Sequence, residues 1–181
     1  LAETGVAIMA TRNALIEDIN RTVQNMQTEF PKFSAQLVGG GTELLNRIPA
    51  SEIEDIIKQN AKKNREANNS SIMGPHTTDL LVTHSQKKQF ASEASTGEQK
   101  ALLITFILAH AHLQSIRLEK PPLLLLDDVA ALLDPWRRDA LFDACKNLSG
   151  QVWYSGSDEK SFETLKSKAQ YFYVNDGIIS Y

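Results

Sequence analysis

Leu123-Leu124-Leu125-Leu126-Asp127-Asp128 is a continuous apolar run closed by two adjacent carboxylates. Leucines without a polar interruption fit a parallel strand covered on both faces; a strand with one face in water would alternate. Such a strand delivers its acids to the carboxyl end of a sheet, where open α/β folds bind ligands. Neighbouring carboxylates repel unless something compensates, and a hard cation with oxygen ligands, such as Mg²⁺, is the usual partner. Asp127 would then be the metal ligand, directly or through water. Asp128 would polarise or orient an attacking water. The plainer alternative is a strand end whose acids face solvent.

The pattern around this strand is α/β. Upstream, Pro121-Pro122 breaks a helix expected over 97–118, apolar on nearly every face and so expected to be buried between layers. Before it, 79–84 reads as a strand and Gln86-Lys87-Lys88 as a turn. Downstream, 135–148 reads as a helix, 151–155 as a strand and 162–168 as a helix. Segments 171–174 and 178–181 flank Asn175-Asp176-Gly177, a strong hairpin signal.

The first third differs. Ile8, Ala14, Leu15, Ile19, Val23 and Met26 recur at helical spacing, so 2–29 reads as a long amphipathic helix ended by Pro31. Residues 33–38 form an expected strand before Gly39-Gly40-Gly41. Ser51 with Glu54 resembles a capping box opening a helix to about 68. Asn68-Asn69-Ser70-Ser71 is an expected loop, which sets the division: a mainly helical lobe over 1–70 and an α/β part over 71–181.

Composition bounds the classes. The chain has 181 residues, 42% of them hydrophobic, enough for a real core. A net charge of −3 argues against coating nucleic acid by charge alone. The basic spots Lys58/Lys62/Lys63/Arg65, Lys87/Lys88 and Arg137/Arg138 read as solvated faces rather than DNA contacts. Cys145, the single cysteine, reads as a small buried helix residue in a reducing cytoplasm. The longest uncharged apolar run, 101–111, is short of the ~20 residues of a membrane span. Leu1-Ala2-Glu3 lacks both a signal-peptide pattern and an initiator Met, so the chain reads as a fragment.

Two further segments could carry chemistry. Ser95-Thr96-Gly97-Glu98-Gln99 opens the apolar helix; small residues there let backbone amides reach an anion. An ordinary capping box of Ser95 with Glu98 explains the same residues. Asp134 before Pro135 is a good helix start by itself. His84, His110 and His112 show no metal-site spacing.

Order and spacing change the weight of these pieces. A serine-glycine loop opening a buried helix, an apolar strand ending in acids, then Leu133-Asp134, resembles the signature loop, Walker B and D-loop of the ABC ATPase superfamily. Ser155-Gly156-Ser157 falls where the switch loop stands. Gly74-Pro75-His76-Thr77-Thr78-Asp79, Ser95 to Leu102, Asp127-Asp128-Val129, Gln151-Val152-Trp153 and the closing Val174-Asn175-Asp176-Gly177-Ile178-Ile179 resemble the RecF family within it. The resemblance is strong over 71–181 and weaker over 1–70, which matches the family's lever-like lobe in length and helical character.

That resemblance implies an α/β fold forming the C-terminal half of an ABC-type ATPase head with an appended mainly helical lobe. It implies ATP and Mg²⁺ as cofactors of the full-length protein. Ser95, Gly97 and Glu98 would meet a nucleotide bound to a partner subunit in an ATP-dependent homodimer. Asp127 and Asp128 would serve nucleotide in their own subunit, and Asp134 would sit at the interface. His76 would link the lobes to the site. The implied role is DNA repair, replication, recombination and the SOS response in the cytoplasm, on double-stranded and gapped DNA, with RecO and RecR, helping to load RecA; no membrane is implied.

Two departures bear on activity. The chain has no Gly-x-x-x-x-Gly-Lys-Ser/Thr loop, so ATP binding and hydrolysis are expected of the full-length protein and not of this fragment. Asp128 stands where many ABC proteins have Glu, which implies slow hydrolysis. An SMC-like chromosome ATPase head and a non-catalytic protein-interaction module are the alternatives. A half head is also expected to expose a sheet edge and apolar surface, and so to self-associate or to complete its core separately.

Overall fold

Helix α1 (Ala2–Asn25) turns one stripe inward, with Ala2, Val6, Met9, Ile16, Ile19 and Val23 buried. Ala2, Val6 and Met9 pack with Ile53 and Ile57 of α2 (Ala50–Glu66). The expected stripe included Ile8 and Ala14, and both are exposed. Several apolar residues compete for the inner face, and packing against α2 decides between them. The helix also stops at Asn25 rather than 29, where Lys32 Nζ donates to the Gln24 carbonyl at 2.6 Å. A lysine on a terminal carbonyl is a favourable stop.

The computed structural model describes residues 2–66, 73–148 and 150–180. They fall into two compact units, Leu1–Met26 with Pro31–Ala109, and Gln27–Phe30 with His110–Tyr181. These units do not coincide with the expected 1–70 and 71–181 division, because β1 (Phe33–Gly39) pairs along its whole length with β2 (Thr78–His84). The register is antiparallel, from Phe33 opposite His84 to Gly39 opposite Thr78. The loop expected at 68–71 lies outside the described residues.

In the first unit the free edge of β1 is closed by α1 side chains. Asn20 donates to the Ala35 carbonyl at 2.7 Å and accepts the Ala35 N–H at 2.8 Å; Gln24 donates to the Phe33 carbonyl. An unpaired edge would otherwise invite foreign strands. Phe33 stacks on Phe106 of α3 (Thr96–Leu118) with ring centroids 5.6 Å apart. Ser51 does not cap α2: the Pro49 carbonyl already accepts from Glu52 and Ile53, so Ser51 lies inside the first turn.

The second unit holds β3 (Leu124–Leu126), α4 (Pro135–Asn147) and β4 (Val152–Tyr154), with β3 and β4 parallel. Leu141, Phe142 and Cys145 of α4 are buried, and Phe142 meets the Tyr154 ring edge-on at 5.1 Å. The expected hairpin forms as β5 (Tyr173–Asn175) and β6 (Ile178–Ser180). The helix expected over 162–168 is instead a 3-10 run, Glu159–Leu165. Asp158 caps it by accepting from the Lys160 N–H and Ser161 Oγ, which tightens the chain into the shorter pitch.

Two burial expectations are corrected. β3 is not covered on both faces: Leu125 is 68% exposed and Leu123 58%. Among the described residues every sheet has two strands, so β3 has a neighbour on one side only. On α3, Leu103, Ile116 and Leu118 are exposed. By length and composition α3 could cross a membrane. Ala101, Leu102, Ile104, Thr105, Leu108 and Ala109 are nevertheless buried in protein, the pattern of a core helix.

Candidate functional site

Ser95 immediately precedes α3, and its carbonyl accepts the Gln99 N–H at 2.9 Å, the first bond of the helix. Glu98 reaches back: its Oε2 accepts the Ser95 N–H at 3.1 Å and the Ser95 hydroxyl at 3.0 Å. Its Oε1 is ion-paired with Lys87 Nζ. The Lys87 and Ser95 hydrogen bonds hold the Glu98 carboxyl at about 2, well below the usual range. Because the folded-state value is depressed, this contribution to stability is present above the ordinary carboxylate pKa and fades as the pH falls towards 2. Gln99 donates from its side chain to the Ala91 carbonyl at 2.9 Å and fixes the preceding turn. The first-turn amides of α3 have no intrahelical acceptor and point out of the helix end. The loop is an ordered, donor-rich helix start of the kind that accepts anions.

In the second unit Asp127 and Asp128 leave the carboxyl end of β3, and both are exposed. Ser155, at the same end of β4, ties them together. Its hydroxyl donates to Asp127 Oδ1, while its Oγ and carbonyl accept the Asp128 N–H at 3.1 and 3.2 Å. Asp128 has φ 51°, a left-handed conformation that aspartate tolerates better than most residues. Gly156 follows, and a Cβ there would meet the Phe162 ring at 2.8 Å. Gly156→Ala should therefore cost about 1–3 kcal/mol by overpacking. Chemical denaturation would measure it, with an unchanged midpoint counting against the packing account.

Asp134 caps α4 by accepting the Arg137 N–H at 2.9 Å. Arg138 donates from Nε to the Ala130 carbonyl and from Nη2 to the Leu133 carbonyl, bracing the turn that presents Asp134. Arg138 is thus no solvated surface charge. Sequence patterning carries no signal for it, because the carbonyls it binds are identical in every residue.

Among the described residues no group of three or more His, Cys, Asp or Glu is arranged to hold a metal. Asp127 and Asp128 alone fit Mg²⁺ in the way that cation is commonly held, by one or two carboxylates with phosphates and water supplying the rest.

No family model matches the chain. The DNA replication and repair protein RecF of Rhizobium rhizogenes (strain K84 / ATCC BAA-868) is 38% identical over 185 residues, covering 99% of this chain and 49% of that protein. RecF of Brucella abortus (strain 2308) is 38% identical over 182 residues, covering 98% and 47%. Over nearly its whole length the chain is thus similar to part of RecF, as a C-terminal RecF fragment would be. It spans about half the length of the curated RecF relatives it matches, and its motif order fits their C-terminal part. Two solved structures of the recombination mediator RecF, one with ATP and one with ATPrS, superpose with TM-scores of 0.72 and 0.70 at 19% identity. They cover 99% of this chain and 48% and 47% of theirs. The fold is therefore α/β and matches about half of a RecF chain, that protein being an ABC-type ATPase.

Against the RecF pattern, the signature-like Ser95, Gly97 and Glu98 lie in the first unit, and Asp127, Asp128, Asp134 and Ser155 in the second. The Gly-Pro-His turn also lies in the first unit. The Gly74 carbonyl accepts the Thr77 N–H and hydroxyl at 3.1 and 3.0 Å, Arg12 donates to the Pro75 carbonyl at 2.8 Å, and His76 is exposed. The glycine turn expected at 39–41 permits this packing: a Cβ on Gly40 would lie 2.5 Å from the Gly74 carbonyl oxygen. Cys145 is buried, its thiol pushed up by burial despite the Tyr154 hydroxyl, and is a core residue.

Proposed function

We propose that this chain is the C-terminal part of a RecF-type recombination mediator whose full-length form binds DNA under ATP control. The observation that carries the reading is the pair of ordered loops: a capped, donor-rich helix start at Ser95 and an acid pair braced by Ser155. Both occur in a chain 38% identical to a curated RecF.

The residues divide the work between two nucleotides. Asp127 would hold Mg²⁺ beside the nucleotide of its own subunit, and the ion would supply charge neutralisation at the phosphates there. Asp128 orients the attacking water; its left-handed backbone, fixed by Ser155, sets its direction. The amide of Gly97, joined by the Ser95 hydroxyl once it turns from Glu98, binds the γ-phosphate held by the partner subunit, and Glu98 keeps the Ser95 backbone in place through its N–H. Asp134, on the turn braced by Arg138, meets the partner at the interface. ATP therefore joins two copies, and hydrolysis parts them. The dimer acts in the cytoplasm on double-stranded and gapped DNA, with RecO and RecR, and helps to load RecA.

The test uses the full-length protein. Sedimentation velocity should show a dimer with ATP and a monomer without it, and DNA affinity should rise with ATP. Equal DNA binding and equal mass with and without ATP would refute the reading.

A further inference from the structure

Lys87 is held on a turn with its own buried scaffold. β2 ends at His84, which is 3% exposed. Its Nδ1 accepts the N–H groups of Gln86 and Lys87, both at 3.3 Å. The His84 carbonyl accepts the Lys88 N–H and the His84 N–H donates to the Gln89 carbonyl, each at 2.9 Å. Lys88 takes a left-handed φ of 55°, and Thr83 bridges to Phe90 beyond the turn. The turn is thus shaped by an imidazole inside the protein, and it carries Lys87 Nζ onto Glu98 Oε1.

The other oxygen of Glu98 holds both donors of Ser95. This arrangement has a cost for anion binding. A helix N-terminus favours negative charge, and Glu98 already supplies one within the first turn. A second anion arriving at the same amides meets a like charge a few ångströms away. The repulsion scales as 332/(εr) and is unscreened wherever a partner subunit excludes water. Glu98 does not shed its charge near neutral pH to relieve it, because a carboxyl at its ordinary value is already ionised there.

We propose that Lys87 is a positioning residue of the signature-like loop, cancelling the Glu98 charge so that Ser95 and the first-turn amides of α3 can receive a polyphosphate from a second copy of the protein. The proposal rests on reading Ser95 and Gly97 as contacts to the partner's γ-phosphate. Glu98 holds the serine backbone through its N–H, and Lys87 keeps Glu98 from repelling the phosphate that the first-turn amides and the released serine hydroxyl must bind.

The experiment is sedimentation velocity on the full-length protein across an ATP titration, read as the ATP concentration at half-maximal dimerisation. Wild type must dimerise with ATP; if it does not, the functional reading itself fails and Lys87 is not at issue. Given that baseline, Lys87→Met should raise the midpoint roughly three- to tenfold, on Coulomb's law at intermediate dielectric. Lys87→Arg should stay near wild type. Adding Glu98→Gln to Lys87→Met should restore the midpoint to within about twofold, because the amide keeps an acceptor for Ser95 and removes the charge. A Lys87→Met midpoint equal to wild type overturns the proposal. So does a double variant as impaired as Lys87→Met, which would mean that Lys87 only holds the loop together.

Discussion

ATP turnover by the full-length protein is expected to fall at least about a hundredfold in Asp127→Asn, since loss of metal-assisted charge stabilisation is worth several kcal/mol. The substitution is nearly isosteric. The side-chain amide oxygen it introduces can still accept from the Ser155 hydroxyl, as Asp127 Oδ1 does, so the tie between β3 and β4 survives. What disappears is the negative charge. The fold should stay intact, with a thermal midpoint shifted by only a few degrees, and steady-state phosphate release reads the loss. Turnover equal to wild type would remove Asp127 from the site.

Ser95→Arg is expected to abolish ATP-dependent dimerisation, again read by sedimentation velocity. It replaces a small residue at an exposed helix start with a long side chain across the first-turn amides, and Glu98 loses its hydroxyl partner. The two variants together make a sharper prediction. If each nucleotide is served by the acids of one subunit and the loop of the other, a mixed dimer of Ser95→Arg and Asp127→Asn contains one site with both defects and one with neither. Mixing the two inactive proteins should then recover turnover, up to about half of the wild-type rate per mixed dimer, by statistical pairing of independent sites. No recovery, from proteins that still form mixed dimers, would place the loop and the acids on the same nucleotide.

Much of the fold was legible because its signals are local. Asn175-Asp176-Gly177 dictates a hairpin wherever it stands, with Asp176 and Gly177 at positive φ. Asp134-Pro135 specifies a helix start, and that start is observed. The apolar run at 123–126 correctly implied a parallel strand, which pairs with β4. Ser51-Glu54 misled because a capping box competes with any nearby carbonyl, and Pro49 offered one earlier. The 3-10 run at Glu159–Leu165 was missed because its tightness comes from the Asp158 cap and from Tyr171 bonding the Phe162 carbonyl at 2.5 Å, a contact nine residues away.

The site divides along the same line. Residue type and order determined which side chains are present: a serine and glycine at a helix start, two acids after a strand, an aspartate before a proline. These choices are legible because carboxylates at a strand end and small residues at a helix end each have few physical uses. Tertiary structure alone decided what holds them. Lys87 reaches Glu98 only because a buried His84 folds the turn back, Ser155 braces both acids only because β4 lies parallel to β3, and Arg138 supports Asp134 through carbonyls. In each case the partner is a charge or lone pair brought close by the chain path, and distance in space, on which electrostatics and hydrogen bonding depend, is what a linear sequence does not display.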